Sequence, residues 1–377
     1  MSGPLDGVSV VELAGLGPAP FCGMVLADLG ADVVRGDRPG IDSMSCVPGP
    51  EHDVMGRGKR SIAVDLKKDE GVGIALRLIA ASDILIEGFR PGVAERLGLG
   101  PGRCLAENPA LVYGRMTGWG QDGPYAASAG HDIDYIAVSG LLHAIGPPEA
   151  PSVPLNMVGD FGGGGMLLAV GVLAALISAR ASGKGQVVDA AMVDGSALLA
   201  ASVHGMLDAG LWEDRRGSNL LDGGAPFYDV YETSDGRHMA VGALEPQFFA
   251  ALVNGLEVSV PPQLDKTRWP EMRRVFERAF SRRTQEEWAA IFAGSDACVF
   301  PVRSLREARE DPHVAARNTF VEVGGVTQPA PAPRFSATPS DVPQTPPSPG
   351  QDTDEVLTLA GYSETEIGKL RGDGVVG

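Results

Sequence analysis

Between residues 8 and 116, short β-branched apolar runs alternate with stretches of helical spacing, and that rhythm constrains the fold more than any other feature. Residues 8–13 (VSVVEL), 31–35 (ADVVR), 61–65 (SIAVD), 83–87 (DILIE) and 111–116 (LVYGRM) read as strands. Residues 21–29 and 71–81 carry apolar side chains at helical spacing between them. Strands that alternate with helices imply a parallel sheet, with ligands taken at the carboxyl ends of its strands.

A second stretch, residues 129–169, concentrates the candidate chemistry. It opens on Gly130-His131-Asp132 and closes on a Gly-Asp-Phe-Gly-Gly-Gly-Gly run at residues 159–165. The apolar run 166–179 that follows reads as a buried helix, so Asp160 is expected at or near its N-terminus, where free N–H groups favour negative charge. The four glycines are expected to let a substrate approach the backbone. His131 and Asp160 can each carry a proton and flank a proline-rich loop, so they are expected to face one another across a substrate. N-capping alone would explain Asp160 but not the glycines that follow it.

Further on, residues 182–186 (SGKGQ) suggest a hairpin-like turn, followed by a strand from residue 187 and a helix to about residue 211. From residue 227 the pattern becomes antiparallel: FYDVYET and HMAVGAL flank Ser234-Asp235-Gly236. Helices are expected at 246–255, 269–280 and 284–292. The proline-rich residues 328–350 read as an extended strap leading to a last helix over 353–370. The expected organisation is α/β: a Rossmann-like large domain (1–220), a smaller α+β domain (225–325), and a strap with a C-terminal helix (328–377) returning to the large domain.

At 377 residues the chain is long enough for more than one core. A net charge of −17 argues against a nucleic-acid partner. Cys22, Cys46, Cys104 and Cys298 lack metal-ligand spacing and suit a reducing, cytoplasmic setting. His52, His204, His238 and His313 form no ligand pattern with carboxylates, so no metal is expected; His143 reads as core. The N-terminal residues lack the basic and apolar regions of a signal peptide. The longest apolar run is 14 residues, short of the ~20 a membrane span needs, so a soluble protein is expected.

Gly15-Leu16-Gly17 follows a strand and Asp37 ends the next, as in a dinucleotide fingerprint, but Pro20 stands where the third glycine belongs. A cluster of Arg38, Arg57, Lys59, Arg60, Lys67, Lys68, Arg90 and Arg96 in an otherwise acidic chain is expected to serve a polyphosphate such as the ADP end of coenzyme A.

Those motifs together carry a resemblance. VVELAGLGPAPFCGMVLADLGADVVRGDRP, SIAVDLKKDEG, IEGFRPGVAERLGLGP, MTGWGQDGP, AGHDIDY, VGDFGGGGM, SGKGQVVDAAMVDGS and GALEPQFF occur in one order. With the tail from residue 352 they resemble the class III CoA transferases and, within them, the 2-methylacyl-CoA racemases. The resemblance implies 1,1-proton transfer at C2 of an acyl-CoA through an enolate. His131 and Asp160 would be the acid/base pair, His131 toward the S face and Asp160 toward the R face, with Glu245 as a third carboxylate nearby. It implies coenzyme A binding by Arg38, by Val64, Asp65, Leu66 and Lys67, by Gly88, Phe89, Arg90, Pro91 and Gly92, by Arg96, and by Gly130, Asp132, Ile133, Asp134 and Tyr135. Phe89 stands where the family often has tyrosine. No separate cofactor is implied, because coenzyme A is part of the substrate. An interlocked homodimer is implied, with the site between one subunit's large domain and the other's small domain. Met192 and Met206 are candidates for an apolar acyl surface. Residues 41–54 match nothing familiar. Two other readings compete: a CoA transferase with Asp160 as nucleophile, forming an acyl anhydride, and a non-catalytic CoA-binding scaffold.

Overall fold

The computed structural model describes residues 2–13, 15–40 and 49–377; Cys46 and most of the unfamiliar 41–54 stretch lie outside them. The described chain divides into two compact units. The first comprises Met1–Ser139, Leu155–Leu199 and Ala316–Gly377, and the second Gly140–Pro154 and Ala200–Ala315.

The first unit is built on a six-stranded, all-parallel sheet. Its strands are β1 (Ser9–Leu13), β2 (Asp32–Asp37), β3 (Arg60–Ala63), β4 (Ile84–Glu87), β5 (Val112–Thr117) and β6 (Gln186–Ala191). They lie in the order β3-β2-β1-β4-β5-β6. Side chains alternate across the sheet. Val10, Val33, Ile84, Ile86 and Val112 pack under the helices Pro18–Asp28 and Leu167–Ser182. Val11, Leu85 and Tyr113 pack on the other face, against Leu76 and Ile79 of helix Asp69–Ala80. Full burial of such a side chain stabilises by roughly 1.5–3 kcal/mol, so both faces need cover. At the β3 edge, Val356, Leu357, Ile367 and Val376 from the C-terminal segment close over Val34, Ile62 and Val64. Chain order reverses between β1 and β4, which opens a crevice beyond their carboxyl ends.

Several local expectations are corrected. Residues 182–186 are not a hairpin: Gly183 ends helix Leu167–Ser182 in the left-handed conformation, and the chain enters β6 parallel to β5. The C-terminal helix is two, Thr353–Leu359 and Glu364–Gly372. Gly361 stands at φ 85° between them, and Ser363 caps the second. The apolar helix is also longer than its sequence run, because a π-helical segment, Met157–Met166, precedes it. Together they span 26 residues, long and apolar enough to cross a membrane, though Leu168, Val172, Ala175 and Leu176 are buried in the sheet's core.

The glycine run serves packing rather than substrate access. A side chain at Gly163 would lie 2.7 Å from the Ser196 nitrogen, and one at Gly165 would lie 2.7 Å from the Pro18 carbonyl. In return, one at Gly195 would sit 1.9 Å from the Gly163 carbonyl. The helix Met192–Leu199 and the start of Pro18–Asp28 therefore rest directly on the π segment's backbone.

In the second unit, β7 (Tyr228–Glu232), β8 (His238–Gly242) and β9 (Val299–Pro301) form an antiparallel sheet, with the Asp235-Gly236 turn between β7 and β8 as its sequence implies. Phe227, Tyr231, Phe276, Phe280 and Trp288 form its aromatic core. Residues 200–220, expected in the large domain, group with this unit, as does 140–154.

Gly195→Ala should force the two backbones apart and cost ~1–3 kcal/mol as overpacking. Gly73→Ala is the control, since a side chain there meets nothing within 4 Å. Thermal melting should show a lowered Tm for the first variant and none for the second.

Candidate active site

A cavity of about 420 Å³ occupies the crevice at the switch point. Its walls are residues 15–19 after β1, Arg38 after β2, residues 88–91 after β4 and residues 116–119 at the end of β5. Ala126, Ser128, Ala129, Gly130, His131, Tyr135, Asp160 and Met192 complete it, so the candidate pair does share one cavity.

His131 is exposed and caps the helix Asp132–Val138; its N–H donates to the Asp134 carboxylate at 2.9 Å. Asp160 is half-buried and stands in the first turn of the π segment, near the N-terminus of the helical stretch as its sequence implies. Insertions of π geometry concentrate at functional sites, where they re-aim a side chain. Its backbone N–H is occupied, donating to Asp132 Oδ1 at 2.6 Å. The Asp160 N–H is therefore not among the free N–H groups expected at this helix start.

Two neighbours fix the Asp160 carboxylate. Asn156 Nδ2 donates to Oδ2 at 3.0 Å. Gly17 turns beneath it at φ 69°, so close that a side chain there would lie 3.2 Å from Oδ2. The Gly15-x-Gly17 sequence thus makes room for a carboxylate. Burial raises the Asp160 pKa; the Asn156 hydrogen bond opposes this, Asp132's charge adds to it, and nearby His131 lowers it. The Tyr135 hydroxyl donates to the Gly130 carbonyl, and burial, with Asp160 and Asp134 beside it, pushes its pKa up to about 12. Trp119 stands edge-on to Tyr135, ring centroids 4.8 Å apart.

Other candidates are distributed unevenly. Gly88, Phe89, Arg90 and Pro91 line the cavity with Arg38, whereas Gly92 and Arg96 do not, and Arg96 is exposed. The loop is fixed by Glu87, which accepts from Phe89 N–H at 2.7 Å and from Arg115 at 2.9 Å. Val64, Asp65, Leu66 and Lys67 are away from the cavity; Val64 pairs with Val376, and Asp65 N–H donates to the Val375 carbonyl. Asp132, Ile133 and Asp134 do not line it, and the Asp132 side chain is turned to Asp160. Glu245 belongs to the second unit, capping helix Pro246–Leu256, and Met206 lies there too.

Half of the expected cation cluster is committed elsewhere. Arg57 is buried against Asp28, Gln328 and the Pro329 carbonyl. Lys59 pairs with Glu12, Arg60 with Asp32 and Glu355, and Lys68 with the carbonyls of Asp373 and Gly374. Sequence reading missed Asn156, whose signal was its helical spacing from Asp160, and Glu87 and Arg115, whose signal was charge within apolar strands.

Comparison with known proteins fits this geometry. A family model described as CoA-transferase family III matches residues 5–353. An alpha-methylacyl-CoA racemase of Mus musculus is 47% identical over 379 residues, covering 99% of this chain and 97% of its own. The Homo sapiens protein of the same name is 46% identical over 382 residues, with coverage of 99% and 97%. The crystal structure of a CAIB/BAIF family protein from Brucella suis superposes with a TM-score of 0.82 at 25% identity, covering 96% of this chain and all of that one.

Asn156→Ala removes the hydrogen bond that holds the Asp160 pKa down, so this carboxyl should titrate at higher pH than in the wild type. Carboxyl ¹³C chemical shifts followed against pH would check it; an unmoved or lowered midpoint would contradict the assignment.

Proposed function

The chain belongs to CoA-transferase family III, and on that premise we propose that it interconverts the R and S forms of 2-methylacyl-CoA thioesters. The observation that carries this reading is the presence of both His131 and Asp160 in one cavity, in a chain whose racemase relatives align over 99% of its length.

The thioester acidifies the C2–H bond. One member of the pair removes that proton, the bond's electrons pass into the carbonyl to give a planar enolate, and the other member delivers a proton to the opposite face. His131 serves the S face and Asp160 the R face, and in reverse they exchange roles. Each positioned acid or base contributes typically ~10²–10⁴-fold. The raised pKa of Asp160 suits a base that must also act as an acid. With the Asp160 N–H engaged by Asp132, the enolate oxygen takes its donor from a group other than that amide.

Arg38 and Arg90, exposed in the cavity wall, meet the phosphates of coenzyme A, which enters as part of the substrate; no separate cofactor is required. The working unit is an interlocked homodimer in which the partner's small unit contributes Glu245. The apolar positions Met166, Val170 and Ile177, exposed along one helix, support a covering second copy. The competing transferase reading uses Asp160 as nucleophile toward an acyl anhydride but gives His131 no role.

In D₂O the wild type should place deuterium at C2 from either enantiomer. His131→Ala and Asp160→Ala should each lose racemisation yet keep exchange of opposite enantiomers. A covalent adduct on Asp160 by mass spectrometry, without C2 exchange, would establish the transferase instead.

Arg38→Ala should raise KM strongly and change kcat less, because a remote phosphate contact is shared by ground and transition states. Steady-state kinetics separate the two; a fall in kcat alone would place Arg38 in the chemistry.

A further inference from the structure

Asp132 follows His131 directly, yet it does not line the cavity. The residue is only 6% exposed, and Oδ1 accepts the Asp160 backbone N–H at 2.6 Å. Oδ2 is buried without a hydrogen-bond partner. The preceding residue on the π segment must be glycine: a side chain at Gly159 would lie 2.6 Å from Asp132 Oδ1 and 3.2 Å from its carbonyl oxygen. A burial this complete, with one lone carboxylate oxygen left unsatisfied, is costly and needs a return.

We propose that Asp132 is a positioning residue that locks the two proton-transfer groups into one unit. Its backbone follows His131 at the head of one helix, and its carboxylate fixes the backbone of Asp160 on another segment. A displacement of either base is thereby transmitted to the other. This rests on the acid/base reading above. The charge acts as well as the hydrogen bond: Asp132 raises the Asp160 pKa in the same direction as burial. The other polar groups around Asp160 are His131, Tyr135 and Asn156, with Arg38 and Arg90 in the same cavity wall. They are unchanged by substitution at 132.

Asp132→Asn keeps an acceptor for the Asp160 N–H but removes the charge, so the Asp160 carboxyl should titrate at lower pH. The acid limb of kcat/KM for C2 exchange should move down with it. Asp132→Ala removes the acceptor as well, and kcat should fall by about 10²-fold in both directions, with KM little changed, as expected for an ångström-scale misplacement. The loss in Asp132→Asn should be smaller. Melting temperatures are measured alongside. If both variants melt earlier but the Asp160 titration in Asp132→Asn does not move, Asp132 is merely structural and the proposal is overturned. The ¹³C titration of Asp160 reads this without any turnover. Absence of C2 exchange in the wild type would therefore defeat the racemase reading separately, and an unfolded Asp132→Ala would leave the decision to Asp132→Asn.

Discussion

Lys59 and Glu12 form an ion pair with no solvent exposure, 2.6 Å apart, and the geometry of the site descends from it. Desolvating two such groups costs several kcal/mol each, and removing one partner typically costs ~3–5 kcal/mol because the other is left uncompensated. Burial pushes the Glu12 carboxyl up, and Lys59 opposes that shift. The pair is retained in a position where its remaining bond matters: Lys59 also donates to the Pro20 carbonyl at 3.0 Å, in the first turn of helix Pro18–Asp28. Gly23 leaves the space, since a side chain there would lie 1.7 Å from Glu12 Oε2. The ion pair thus fixes where the helix starts on β1, and with it the loop whose Gly17 packs under Asp160.

The sheet was legible because its signal is local. Val10, Val33, Ile84 and Val112 stand in short runs bounded by turn residues, and each became a buried strand. That His131 and Asp160 come together in one cavity was also legible, since they stand at the two ends of one proline-rich loop. The details that failed depend on partners distant in sequence. The glycines at 162–165 looked like open backbone, but their occupants come from residues 18–21 and 192–199. The π geometry around Asp160 was not legible, because nothing in the sequence signals that the helix begins as early as Met157. Gly183 looked like part of a hairpin because a left-handed glycine serves a helix end and a tight turn equally well.

The cation cluster divided for a reason with more reach. Counting basic residues near a ligand-binding edge ignores which end of the strand they occupy. Arg57 and Lys59 precede β3, and both are drawn inward to pair with carboxylates. Arg38 and Arg90 follow β2 and β4, at the carboxyl end of the sheet, and they line the cavity. In a parallel sheet, position relative to the strand decides whether a guanidinium is structural or available to a ligand.

The same competition between burial and polar contacts sets the character of Asp160. An exposed aspartate is a weak base near neutrality, while one buried without contacts would stay protonated. Here half-burial and the charge of Asp132 raise the pKa, and the Asn156 amide and nearby His131 restrain the rise. None of these four influences arises from the residues immediately flanking Asp160. Two come from the helix headed by His131, one from a residue a helical turn earlier, and one from the cavity wall that Gly17 brings close. A carboxyl balanced this way can both give and take a proton, which is what a reversible transfer at a planar carbon demands of each of its two bases.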